Sequence, residues 1–254
     1  MQRKSGPWDP AHPVRGAGAV RYASQSSEKL QGTVEFLVNG APRRIEIAQL
    51  VIAGWTGRDK ASVEKHIAEL EAIGVKRPRA VPVFYRVAAS LLTTGRDVDV
   101  VGEHSSGEVE FVLVSAPDAL YVGVGSDHTD RKVEAYGVTV SKQMCSKPLG
   151  RELWPFAELD AHWDRLVLRS HVTRGGLRRL YQEGEVGNML PPRALLERFS
   201  GSAFLAPGTA MFCGTLAVRG EIGGGERFEI ELHDPVRNRS LRHEYAVREL
   251  AIAD

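Results

Sequence analysis

The alternation of apolar and polar positions begins at Thr33. Thr33-Val34-Glu35-Phe36-Leu37-Val38 alternates weakly, Asn39-Gly40 is a strong hairpin turn, and Arg44-Ile45-Glu46-Ile47 returns as a second strand. Ala48 to Ile52 continues with the pattern of a buried segment. The period then changes. Val63, Ile67, Leu70 and Ile73 recur at helical spacing, behind Asp59 or Ser62 as cap and ahead of Gly74 as terminator. Pro78 and Pro82 mark an extended crossing over Arg79 to Phe84. Strands are predicted at Val98–Val101, Glu108–Val114 and Leu120–Val124, the last two separated by the turn Ser115-Ala116-Pro117-Asp118. From Leu166 onward short apolar runs alternate with Gly and charge. Pro191 to Phe199 reads as a short helix, and Met211–Val218, Arg227–Leu232 and Glu244–Leu250 read as strands. The sum is an α+β, β-rich mixed fold with a few short helices.

Residues 1–28 break this pattern. Gly, Pro, Ser and Arg dominate there and the apolar residues show no period, so they read as a disordered or extended tail before a single domain spanning 29–254. Apolar residues make up 43% of the 254, enough to bury a core, and the 26 glycines favour many turns and short strands. Basic and acidic side chains nearly cancel, at a net charge of +1, which argues against a nucleic-acid or membrane-surface binder. No apolar run approaches the roughly 20 residues that span a bilayer, and residues 1–27 lack the apolar stretch of a secretory signal. Two cysteines, Cys145 and Cys213, are too few for a disulfide framework and fit a reducing compartment. The expected location is the cytoplasm.

Candidate chemistry centres on Gly107-Glu108-Val109-Glu110-Phe111-Val112-Leu113-Val114. Side chains on a strand alternate faces, so Glu108 and Glu110 point the same way, with Val112 and Val114 continuing that face. Two adjacent carboxylates at the edge of an apolar strand repel and are costly to desolvate. A hard divalent cation resolves both problems; a solvated strand end with Lys or Arg partners is the other solution. A third carboxylate weighs in. Asp127 lies in the polar run Gly125-Ser126-Asp127-His128-Thr129-Asp130-Arg131 that follows the next apolar strand. If the two strands are antiparallel neighbours, the start of one lies beside the end of the other, and Asp127 approaches Glu108 and Glu110.

These pieces together resemble the fumarylacetoacetate hydrolase superfamily, as a divergent bacterial branch. The family carries a Glu-x-Glu strand, an Asn-Asp-x-Ser/Thr-Ala-Arg-Asp segment, a Lys-Ser-Phe segment and a late Thr-Gly-Thr-Pro segment. Glu108-Val109-Glu110, Ser126 to Arg131, Ser141-Lys142-Gln143-Met144 and Cys213-Gly214-Thr215-Leu216 keep that order. Tyr181-Gln182-Glu183-Gly184-Glu185 is similar to the family's Gln-x-Gly-x stretch. Upstream, Gly57-Arg58-Asp59 with His66-Ile67-Ala68-Glu69 is similar to Gly-Arg-Asn-Tyr-x-x-His-x-x-Glu, and Pro82-Val83-Phe84-Tyr85-Arg86 to Pro-x-Phe-Phe-Lys. The resemblance runs from about Gly54 to Gly220. Asp130, Lys132, Glu134 and Leu216 depart from the residues usual in the family.

The resemblance implies a divalent-metal-dependent hydrolase of C–C bonds, or a related lyase, decarboxylase or isomerase. Its substrate would be a small 2-oxo or 1,3-dioxo acid, with a metal-stabilised enolate in the reaction. Mg2+ (or Mn2+) would be held by Glu108, Glu110 and Asp127. Lys142 would place positive charge near the developing oxyanion, and His66 with Glu69, three apart on one helical face, would activate water. Thr129, Gly214, Thr215 and Arg131 would contact substrate; Arg131 either orients its carboxylate or pairs with Asp130. His104 and His128 flank the metal candidates without a role in the family pattern. A homodimer is implied as well. The alternative is a non-catalytic protein that kept the fold and binds metal and oxo acid.

Overall fold

The computed structural model describes residues 32–72 and 77–253; the expected tail over 1–28 lies outside them, as do Ile73 and Gly74. β1 (Thr33–Val38) and β2 (Ala41–Glu46) pair from Thr33↔Glu46 to Val38↔Ala41. Asn39 and Gly40 both take positive φ, 50° and 79°, the handedness that a two-residue turn needs to follow the twist of its strands. β3 (Gln49–Gly54) does not continue β2. The Ile47 amide turns back to Gly32, and β3 leaves to another part of the sheet. Leu50 to Ala53 are buried on both faces, which an edge continuation of the hairpin would not provide.

α1 (Lys60–Ala72) starts at Asp59, whose carboxylate accepts from the amides of Ala61 and Ser62, both at 3.2 Å. Asp59 rather than Ser62 therefore caps it. The extended crossing becomes β4 (Val83–Val87), antiparallel to β3. Three short strands follow: β5 (Leu92–Thr93), β6 (Asp97–Val101) and β7 (Ser105–Ser106). β8 (Val109–Ser115) and β9 (Leu120–Ser126) form the expected antiparallel hairpin, with Glu110 opposite Gly125. β10 (Thr129–Asp130), α2 (Arg131–Glu134), α3 (Val138–Met144) and β11 (Lys147–Pro148) cross the end of that hairpin. β12 (Glu152–Pro155) returns the chain to the sheet beside β9. β13 (Val167–Arg174) and β14 (Leu177–Glu185) make a long hairpin, where the sequence shows only short apolar runs. α4 (Pro192–Ser200) is the expected short helix. β15 (Thr209–Phe212) stops well short of the predicted Val218, because Gly214 turns the chain at φ 98°. β16 (Arg227–Asp234) and β17 (Arg239–Leu250) complete the order.

Among the described residues the strands form an eight-stranded sheet, β2-β1-β12-β9-β8-β15-β3-β4, and a five-stranded sheet, β14-β13-β16-β17-β6. The larger sheet is apolar on both faces. Val109, Phe111 and Leu113 of β8 join Val122, Val124, Met211, Leu168, Ile230 and Leu232 in the layer between the sheets. Val112 and Val114 face the other way, towards Phe36, Ile45, Leu50, Leu153 and Phe212. All seven residues of β8 are buried, so the strand is a fixed point for whatever its ends carry. No helix among the described residues is long and apolar enough to cross a membrane.

Phe111 sits at the middle of that layer, fully buried, with its ring centroid 4.9 Å from that of Trp163 in an edge-to-face contact. Phe111→Ala is expected to lower unfolding free energy by about 3–5 kcal/mol. A denaturant titration giving less than about 1 kcal/mol, the bottom of the scale for core truncations, would contradict this account of the core.

Candidate active site

Glu108 stands immediately before β8 and Asp127 immediately after β9. The Asp127 amide donates to the Glu108 carbonyl at 3.0 Å, so the hairpin ladder extends one step past its strands and sets the two residues side by side. Glu110 follows on the same face of β8. One oxygen from each of Glu108, Glu110 and Asp127 lies within 4.8 Å of the others. Glu110 is 2% exposed and Asp127 fully buried. Like charges at that spacing repel by about 3–4 kcal/mol per pair at an effective dielectric near 20. Burial, and then the charges of Asp127 and Glu108, push the Glu110 carboxyl well above the usual range.

Three cations offset this. Lys142 on α3 is 6% exposed and reaches Asp127 Oδ2 directly and Glu108 Oε2 at 3.7 Å. Burial works against its charge, but Asp127 and Glu108 raise its pKa above the ordinary lysine value. Lys147 on β11 is fully buried, donates to the His128 carbonyl at 2.6 Å and stands 3.1 Å from Asp127 Oδ1. Burial alone would raise the Asp127 pKa; the two lysines override it and hold the carboxyl at about 2. Arg131 donates to Glu108 Oε1 and to Glu134 Oε2, both at 3.0 Å, and to Ser106 Oγ at 2.7 Å.

The site is fastened from behind. Ser126 Oγ accepts from the Glu108 amide at 3.1 Å and shares a hydrogen bond with the Tyr245 hydroxyl at 2.8 Å. His128 is buried between Tyr245 and Ser105, at 3.1 and 2.9 Å; burial, with Lys147 and Arg131 nearby, drops its pKa to about 3 and keeps it neutral. The Gly214 amide donates to Glu110 Oε2 at 2.8 Å. A side chain at Gly214 would put its Cβ 1.7 Å from Thr56 Oγ1, so only glycine lets this backbone approach. Gln182 ties the layers together. Its carbonyl accepts from the Val109 amide and Ser170 Oγ, and its amide donates to Thr215 Oγ1 and the Leu216 carbonyl.

The structure thus brings Glu108, Glu110, Asp127, Lys142, Arg131 and Gly214 together. Of the two partners considered for Arg131, the pairing with Asp130 does not form. Arg131 holds Glu108 and Glu134, while Asp130 caps α2 by accepting from the Val133 amide at 2.9 Å. The Thr129 hydroxyl donates to the Asp127 carbonyl, and that of Thr215 to the Val109 carbonyl, so both protons are engaged within the fold. His104 is exposed, and only its carbonyl serves the site, accepting from the Arg131 amide. His66 and Glu69 lie on α1; their side chains lie outside the described residues.

Sequence reasoning missed Lys147 and the role of Gln182. Lys147 reads as a loop lysine because its strand is two residues long and no periodicity can form. The one available signal is its place between Cys145-Ser146 and Pro148-Leu149, a stretch without other charge. An aromatic also stands beside Lys142. The Tyr85 ring centroid is 5.8 Å from Lys142 Nζ, and burial raises the Tyr85 pKa. Trp55, close in sequence to Thr56, takes a positive φ of 61°, a costly conformation for a bulky residue.

The donor set fits a hard divalent cation. One oxygen from each of three carboxylates lies within 4.8 Å of the others, and Asp127 Oδ1 is buried with the Lys147 ammonium at 3.1 Å as its polar neighbour.

Comparison with solved structures places this architecture in a known class: the chain has the fumarylacetoacetate hydrolase fold. A candidate fumarylacetoacetate isomerase/hydrolase from Oleispira antarctica superposes with a TM-score of 0.60 at 18% identity, over 85% of this chain and 100% of that one. Fumarylpyruvate hydrolase from Pseudomonas aeruginosa, in complex with Mn2+ and pyruvate, gives 0.56 at 18% identity, over 87% and 97%. A 2-keto-3-deoxy-D-arabinonate dehydratase complexed with magnesium and 2,5-dioxopentanoate gives 0.54 at 16% identity, over 83% and 77%. Within that class, the chain belongs to the family described as protein of unknown function DUF2848, whose model matches residues 53–245. No curated protein matches it.

Gly214→Ala is expected to lower the melting temperature by several degrees, consistent with a loss of about 2 kcal/mol or more from overlap and positive φ. Adding Thr56→Ala should restore part of it by removing Oγ1. A single variant as stable as the parent would show that this contact does not constrain the loop.

Proposed function

We propose that the protein is a divalent-metal-dependent hydrolase or lyase acting on a small 2-oxo or 1,3-dioxo acid. The observation that carries the reading is the convergence of Glu108, Glu110 and Asp127 beside the buried ammonium of Lys142. It is supported by the fold, shared with a hydrolase bound to Mn2+ and pyruvate and a dehydratase bound to magnesium and a dioxo acid. Mg2+ or Mn2+ held by the three carboxylates would supply Lewis acidity to the oxygens of the oxo acid.

The chain's own residues then divide the work. Glu108, Glu110 and Asp127 would hold the ion, because the β8–β9 ladder, its extension from Asp127 to Glu108 and the Gly214 amide fix their backbones and Oε2 of Glu110. Lys142 presents charge to the oxo oxygen as negative charge develops there, from a site where burial strengthens the interaction. Arg131 keeps Glu108 oriented. In C–C hydrolysis His66 and Glu69 would take a proton from water; the hydroxide adds to the carbonyl carbon, the adjacent C–C bond breaks, and the leaving carbon takes up a proton. Dehydration, decarboxylation or tautomerisation activates no water as nucleophile, although dehydration and tautomerisation still move a proton to or from carbon. Loss of His66 therefore separates hydrolysis from the other chemistries. Of Asp130, Lys132 and Glu134, the departures that favour a non-catalytic binding protein, Asp130 has a local role as a helix cap and Glu134 as an Arg131 partner. The reading includes a cytoplasmic homodimer, supported by two free, buried thiols as far as compartment goes; a monomeric mass on sedimentation would remove the dimer from it.

Calorimetric titration of Mn2+ into EDTA-treated protein tests the site. Binding is expected in the wild type and lost by 100-fold or more in a Glu108→Ala, Glu110→Ala variant, as for removal of two direct ligands, each worth about 2–3 kcal/mol or more. Oxalate should bind only with the metal present. No Mn2+ binding, or oxalate binding that ignores Mn2+, would sink the assignment. Against an oxo acid that the protein turns over, Lys142→Met should keep Mn2+ binding and lower kcat by about 10²–10³-fold; an unchanged kcat would remove Lys142 from the chemistry.

A further inference from the structure

Lys147 is the charged side chain that the proposed chemistry does not use. It is fully buried, which is rare for lysine, and it sits on the far side of Asp127 from Lys142. Its contacts call for a cation: the His128 carbonyl at 2.6 Å and Asp127 Oδ1 at 3.1 Å. The short strand β11 holds it there, through the Lys147↔Leu92 pairing with β5 and the Leu149 amide on the Thr93 carbonyl.

The charges around the carboxylates show what this cation changes. Glu108, Glu110, Asp127 and Glu134 face Lys142, Lys147 and Arg131. With all of them ionised, as a bound cation favours, the cluster has one negative charge in excess before the divalent ion is counted and one positive charge after. Without Lys147 the cluster would have two negative charges in excess and would be neutral once loaded. Lys147 therefore opposes the metal and favours the anion that follows it.

We infer that Lys147 is a positioning residue that couples the two: it weakens binding of the divalent ion alone and strengthens capture of an anionic chelator by the loaded site. The chain thus binds its metal alone, but more tightly with an oxo acid present. This rests on the function proposed above, and deepens it by naming the ligand class that completes the charge balance, a chelating carboxylate of one or two negative charges.

The test is a cycle of calorimetric titrations on the full chain, with Mn2+ and oxalate as probes. Mn2+ is titrated alone, then oxalate into Mn2+-loaded protein, for wild type and Lys147→Met. Loss of a unit charge this close should move each dissociation constant by about tenfold or more, in opposite directions: Mn2+ tighter, oxalate weaker. A merely structural lysine would weaken both together. Parallel loss, or no change in either, overturns the inference. Lys147→Gln keeps a donor for the His128 carbonyl without the charge and should repeat the crossed result if Lys147→Met is unstable. Failure of both variants to fold also overturns the inference, because it makes Lys147 a requirement of the fold rather than of charge balance. The proposed function fails separately, when the wild type binds no Mn2+ or binds oxalate without it.

Discussion

Three carboxylates within 4.8 Å of one another, two buried and one partly so, are the constraint around which the molecule is arranged. Removing even one carboxylate from water costs several kcal/mol unless partners replace the solvent. Hydrophobic packing cannot supply such partners. The fold supplies them from a single stretch, residues 131–147, which contributes Arg131, Lys142 and Lys147 from α2, α3 and β11. The two-residue pairings β10 with β7 and β11 with β5 are too short to stabilise a sheet by themselves. They hold this cationic stretch over the end of the β8–β9 hairpin. A feature that looks like irregular connection is, in energetic terms, the counterpart of the carboxylates.

The hairpin can be so demanding because it is so well anchored. Every residue of β8 is buried, and the sheet has a packed apolar layer on each face. Removing either layer would let the strand ends relax apart. Gln182 adds a polar fastening, joining β8, β13 and the Thr215 segment through one amide whose donors and acceptor are all used. A fully satisfied buried amide of this kind specifies register more sharply than apolar contact does.

Much of this was legible in the chain itself. The β1–β2 hairpin could be read from Asn39-Gly40, and the β8–β9 hairpin from its alternation and turn. The approach of Asp127 to Glu108 and Glu110 followed from antiparallel pairing alone. What escaped was whatever depends on contacts distant in sequence. β15 ends at Phe212 because Gly214 must meet Glu110, and nothing between residues 211 and 218 announces that. Arg131 next to Asp130 invites a local ion pair, but the Asp130 carboxylate is taken up by the Val133 amide at the start of α2, and the guanidinium goes to Glu108 and Glu134 instead. Lys147 was invisible because a two-residue strand has no period, and only the folded context makes a lysine there internal.

Tyr245 deserves a different kind of reading. It belongs to β17, yet its hydroxyl holds both Ser126 and His128, the two neighbours of Asp127. β17 in turn pairs in parallel with β6, so that Ala246 lies against Asp97 across most of the chain. Contacts that span such sequence distances form late, since the loop between them must close before they stabilise anything. As the chain emerges during synthesis, the three carboxylates are complete long before the strand that steadies them. The nascent protein therefore passes through a stage in which its acidic cluster is assembled in sequence but not yet held in geometry. The order of the chain leaves the site without its Tyr245 fastening until the last strand has been made.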